Sequence, residues 1–178
     1  MFINKTGMKR LFAAAVLAVA FSASLPAQGT DETSASFHDE PKAELAVELI
    51  KKYEGLHDSP DYYPYYGYGH CRLEGEELSY DMTEAEAEKL LRKDLTERYR
   101  LFRKYKKDAL LLTVLSYNVG YGALLGYGKR PKSWLLKKLE AGDRDIYAEY
   151  ISYCHYKGRK IRSIERRRKM EYLLLYEP

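Results

Sequence analysis

Apolar residues at Leu45, Leu49, Ile50 and Tyr53 recur at helical spacing and predict a helix that Gly55 ends. Pro41 suits the first turn of that helix, with Asp39 nearby as a cap. Residues 55–80 lose the period. Asp58-Ser59-Pro60-Asp61 is turn chemistry, and the run Tyr62 to His70 alternates aromatics with Pro64, Gly67 and Gly69, which predicts short strands and tight turns. Thr83 and Glu86 form a capping-box pattern ahead of a long amphipathic helix with a stripe of Ala87, Leu91, Leu95, Tyr99, Phe102 and Tyr105. Asp108 can cap the next helix, 109–119, which is apolar on every face and therefore belongs at the centre of the core; Gly120 stops it. Ser133 caps a short helix ending at Gly142, and two more helices are expected over about 143–156 and 162–176. There is no internal repeat. The pattern predicts an α+β chain, mostly α, with a small strand-and-turn lobe inserted near the start of a helical body.

The first residues obey a different rule. Lys5, Lys9 and Arg10 precede an unbroken apolar run from Leu11 to Phe21, and a small-residue stretch with Pro26 leads to Ala27. That is the three-part pattern of a secretory signal peptide over 1–27, too short to be a membrane span. Residues 28–40 are acidic and read as a flexible leader, and 41–178 as one compact domain of ordinary size. Removing 1–27 takes three of the 30 Lys and Arg and none of the 26 Asp and Glu, so the charge falls from +4 to 27 − 26 = +1. A nearly neutral exported chain gives no bulk electrostatic case for nucleic acid. Cys71 and Cys154 would then meet an oxidising compartment, either as two small buried side chains or as one disulfide. Tyr is unusually frequent, at 18 residues, and brings apolar faces with polar tips.

An acid at a helix end next to glycine and an aromatic loop suits proton chemistry in a cleft, and Glu54 fits. The negative end of a helix favours the protonated form of a carboxyl, as a glycosidase general acid requires. A solvated surface Glu is the plain alternative. The downstream sequence weighs against it: Glu54-Gly55-Leu56, Gly67-Tyr68-Gly69-His70, Thr83 to Ala87 opening a helix, Tyr117-Asn118-Val119-Gly120, Leu135 to Asp143, and Arg167-Arg168-x-x-Glu171. This ordered set, over about residues 43–176, resembles the phage-type lysozymes, glycoside hydrolase family 24. The aromatic loop before Gly67 is most similar to the divergent lysozymes of bacterial conjugative elements.

The resemblance implies a lysozyme-like fold, a small lobe over a helical lobe with the glycan strand of peptidoglycan between them. It implies Glu54 as the acid that protonates the oxygen between N-acetylmuramic acid and N-acetylglucosamine, with no cofactor. It also implies an exported, periplasmic or extracellular, monomeric hydrolase that opens the wall locally, with an envelope-spanning complex as a docking partner. A catalytically weakened glycan-binding protein on the same fold is the alternative. The family usually has an Asp about nine residues past its acid and a Thr about five before its His. Here the Thr slot holds Tyr65 and the Asp slot is empty, leaving Asp61, Asp58 or neither as the second catalytic group. Asp61, beyond Pro60 and leading into the aromatic strand, is the preferred choice.

Supporting roles fall to residues farther along the chain. His70 is expected to be a hydrogen-bonded structural residue; with His38, His57 and Cys71 it makes no metal-ligand spacing. The tyrosines between 62 and 68 serve as packing, as a stacking platform for sugar rings, or as both. Arg167 falls about 60° from Ile164 on the last helix, among apolar neighbours, and needs a carboxylate. The family pairing points to Glu54, and Glu171, one turn on, is the rival. The segment 157–169 holds eight Lys or Arg against one Glu and reads as a solvated face attracted to anionic wall polymers.

Overall fold

The computed structural model describes residues 36–178. The expected signal peptide and most of the expected leader lie outside them. The first described residues, within the segment expected to be a leader, are already packed. Ser36 and Asp39 form a reciprocal cap on a single 3-10 turn, Phe37–Asp39, and Phe37 is fully buried against Tyr99, with ring centroids 6.3 Å apart. Asp39 thus caps this turn rather than the next helix.

Helix α1 is Ala43–Glu54. Its buried face is Ala43, Ala46, Val47 and Ile50, spaced i, i+3, i+4 and i+7, joined by Leu49, whereas Leu45 faces solvent. The buried stripe is therefore rotated from the expected one, because small Ala46 rather than large Leu45 meets the core. Gly55 ends the helix at φ 70°, a conformation open to glycine.

The small lobe comes next. Strands β1 (Tyr65–Tyr66) and β2 (His70–Cys71) pair antiparallel in the register Tyr65–Cys71 and Tyr66–His70, and a bridge from His57 to Gly67 adds a third extended segment. Gly67, at φ 56°, lies where a Cβ would come within 3.1 Å of the Ala87 Cβ. A side chain there would push the lobe off the helix that carries Ala87.

That helix, α2, is Glu84–Phe102. Its N-terminus carries the expected capping box, with Thr83 N–H donating to Glu86 at 2.7 Å and Glu86 N–H donating back to Thr83 at 3.3 Å. The stripe from Ala87 to Phe102 is buried as expected, with Asp94 set into it. Tyr105 lies beyond the helix, in a 3-10 segment kinked at Lys106, φ 52°. Helix α3, Ala109–Val119, is buried on nearly all sides and packs against α2, α1 and the last helix. Asp108 makes no cap for it; its carboxylate instead accepts from Arg144.

Helices α4 (Gly122–Leu125), α5 (Trp134–Glu140, capped by Ser133) and α6 (Tyr147–Ile151) complete the body before α7 (Arg162–Leu175). The helix expected over 143–156 is confined to α6. A hairpin, β3 (His155–Tyr156) with β4 (Arg159–Lys160), takes the rest. Its two turn residues, Lys157 and Gly158, both have positive φ, the turn geometry that matches strand twist. The result is the α+β, mostly α, lysozyme-like architecture the sequence predicted. Both cysteines are free, Cys154 buried and Cys71 half-buried, so the disulfide reading is replaced by that of two separate side chains. Among the described residues no helix is long and apolar enough to cross a membrane.

Candidate active site

Glu54 is the last residue of α1, so its side chain leaves the helix where the chain turns into the small lobe. The β1–β2 turn closes over it: a Cβ at Gly69 would stand 3.7 Å from Glu54 Cγ and 3.7 Å from the Tyr117 ring. From the helical side, Arg167 donates to Glu54 Oε1 at 2.6 Å and Asn118 Nδ2 donates to the same oxygen at 3.3 Å. The acid therefore sits at the seam of the two lobes, with one oxygen held by donors from α3 and α7.

Arg167 is nearly fully buried and serves both of its expected partners. Its Nη1 binds Glu54, and its Nε donates to Glu171 at 2.7 Å. Burial alone would make this guanidinium easier to deprotonate, but Glu54 and Glu171 together raise its affinity for the proton. The Tyr53 ring lies 5.4 Å from its central carbon. Glu171 in turn accepts from Arg168 and from the Tyr150 hydroxyl, the latter at 3.0 Å. Burial would push its carboxyl up; Arg168 and Arg167 hold it below the usual value instead.

The network closes on itself. Arg168 also donates to Asn118 Oδ1, and Asn118 Nδ2 donates to Glu54. Since Arg168 has donors alone to offer, it fixes which end of the Asn118 amide faces Glu54. Sequence reasoning assigns no role to Asn118, Arg168 or Tyr150. Within α3, Thr113 and Ser116 donate to backbone carbonyls of their own helix at 2.7 and 2.8 Å, whereas Asn118 turns outward to Glu54 and Arg168. The basic segment 157–169 is likewise not a uniform solvated face, because Arg167 and Arg168 are core residues.

His70 stands apart from this ring. Its Nδ1 lies 2.9 Å from both Asp94 oxygens and its Nε2 2.8 Å from Glu76. Both nitrogens facing carboxylates require the doubly protonated ring. Burial would lower its pKa, but Asp94 and then Glu76 raise it. The side chain links β2 to α2 and to the loop at Glu76.

Tyr65 is buried beside His57, with rings at 6.3 Å. Burial pushes its phenol up, with Cys71 and Glu54 adding to the shift. Asp61 sits in an exposed 3-10 turn, Pro60–Tyr62, capped by Ser59; Asp58 is exposed just before it. Neither carboxylate makes a hydrogen bond or ion pair with Glu54. The structure thus joins Glu54 to Arg167, leaves Tyr65 packed against His57, keeps His70 in a separate cluster, and leaves Asp61 on the surface. A family model described as Phage lysozyme matches residues 51–171, a span that takes in Glu54, the small lobe and the Arg167 ring. No curated protein matches the chain.

Proposed function

This chain belongs to the phage lysozyme family, and from that premise we propose that it is an exported glycosidase that hydrolyses the bond between N-acetylmuramic acid and N-acetylglucosamine in peptidoglycan. The observation that carries the reading is the seat of Glu54: one carboxyl oxygen gripped by Arg167 and Asn118, the side chain under the Gly69 turn at the lobe junction. With one oxygen fixed, the other is the one available to a substrate.

In this reading Glu54 gives its proton to the glycosidic oxygen as the bond to the anomeric carbon breaks. Water attacks that carbon, and its proton passes to a second group, for which Asp61 is the choice. Arg167 and Asn118 orient Glu54 and do not touch the sugar. The signal-like segment 1–27 supports export, and action as a monomer, docked where a wall must be opened for an envelope complex, completes the proposal.

The test is a zymogram on purified peptidoglycan, with analysis of the released ends. New reducing N-acetylmuramic acid ends support the reading. Tight binding without clearing would transfer the chain to the glycan-binding alternative.

A further inference from the structure

From Ala109 to Leu139 the chain contains no Asp or Glu, yet Lys129, Arg130, Lys132, Lys137 and Lys138 lie there. Two of these are neutralised locally, Lys132 by Glu140 at 2.7 Å and Lys138 by Asp143 and Glu149 at 3.2 Å each. Lys129, Arg130 and Lys137 form no ion pair with any described residue, and all three are exposed.

These cations accompany exposed aromatics. Tyr127 and Arg130 bridge a tight turn, and Tyr127 is 58% exposed. The base of the turn is packed closely, because a Cβ on Gly126 would come within 2.7 Å of the Arg130 carbonyl oxygen and 2.8 Å of the Lys132 nitrogen. Two residues past Lys132, Trp134 opens α5 and is 73% exposed, and the Lys137 ammonium sits 4.6 Å from its ring. A large aromatic left in water and orientated by a cation marks an interaction site more than a packing residue. The same chain segment leads directly out of α3, whose Asn118 holds Glu54.

We propose that the Tyr127–Arg130 turn, with Trp134 and Lys137, is a second binding surface for peptidoglycan, separate from the Glu54 seat. Its flat rings meet the apolar faces of sugar rings, and its three unpaired cations meet the carboxylates of the stem peptides. The inference rests on the peptidoglycan reading above. Charge complementarity selects this occupant: a saccharide polymer bearing carboxylates satisfies both the rings and the cations, whereas a neutral glycan satisfies the rings alone.

Trp134 is the single tryptophan of the chain, so its emission reports on this surface alone. The experiment uses the full chain carrying Glu54→Gln, titrated with purified peptidoglycan sacculi and monitored by sedimentation and by tryptophan emission. A shift of Trp134 emission to shorter wavelength that saturates with sedimentation is expected. Adding Trp134→Ala should weaken sedimentation about tenfold, with the melting curve confirming a folded protein. Glycan strands stripped of stem peptides should bind more weakly than intact sacculi. Unchanged emission at saturation, an unchanged affinity in the Trp134→Ala chain, or tighter binding to duplex DNA than to sacculi would each overturn the proposal. Clearing by the wild-type chain is scored separately. Clearing with a silent Trp134 sinks this surface and leaves the enzyme standing, and a responsive Trp134 without clearing does the reverse.

Discussion

The seam between the lobes is built from two buried ionic clusters of opposite temperament. Around Glu54 the positive charges are the guanidiniums of Arg167 and Arg168, which stay charged at any pH a protein survives. Around His70 the positive charge is an imidazolium between Asp94 and Glu76, with Lys93 3.9 Å from the far oxygen of Glu76. The first cluster holds the acid; the second holds the small lobe against α2. A site that must keep one carboxyl in place is thus furnished with cations that cannot titrate, while the joint beside it depends on one that can.

The hardest way to break this contrast is at the acid itself. Glu54→Gln keeps the shape and removes the transferable proton, so wall clearing should fall by about two to four powers of ten, with secondary structure retained by circular dichroism. Wild-type clearing by this variant would dismiss the mechanism. Next, Asp61→Asn should reduce clearing by about a hundredfold while Asp58→Asn stays near wild type. The reverse outcome moves the role to Asp58, and two active variants leave water to other groups, with the Tyr65 hydroxyl the foremost of them.

Arg167→Met tests the permanent cluster as structure. It leaves Glu171 and Glu54 buried with one cation fewer, and stability should fall by about 3–5 kcal/mol in a denaturant titration. An unchanged midpoint would show that the ring contributes nothing to folding. The smallest effect belongs to His70. Its folded pKa lies above the ordinary histidine value of 6.5, so its contribution is complete below about pH 6.5 and is lost as pH rises through the folded value. The wild-type melting temperature should therefore decline on the alkaline side of 6.5, and His70→Gln should be less stable at low pH and lack that decline. Parallel curves would remove the titrating joint from the comparison.

What could be read ahead of the structure divides along the same physical line. Helix ends written by neighbours in the chain are legible: Gly55, the Thr83–Glu86 box, Gly120 and Ser133 all act as their types predict. Arg167 is legible too, because a charge on an apolar stripe demands a partner. The ring that contains it is not, since Asn118, Arg168 and Tyr150 find their partners through pairs 21, 50 and 64 residues apart. Nor is the hairpin at 155–160, where Lys157 at positive φ offers no sequence cue beyond the glycine after it. Leu45 misleads for a different reason: hydrophobicity ranks it above Ala46, but close packing of α1 requires the smaller residue. The placement of Asp61 as a catalytic base rests on its position past Pro60, and its exposed turn neither adds to that argument nor ties it to Glu54.

The turn at Phe37 also decides where this domain can safely be cut. A version beginning at Pro41 would keep every α-helix and every residue of the Glu54 ring. It would lose the phenyl ring that fills the space beside Tyr99, and the Tyr99 hydroxyl would lose the Glu40 carboxylate to which it donates. Emptying a phenylalanine-sized site in a core costs about 3–5 kcal/mol, a large fraction of what a domain of this size has to spare. A trimming protease that reached past Ser36 would therefore weaken the whole domain without removing any residue of the Glu54 ring.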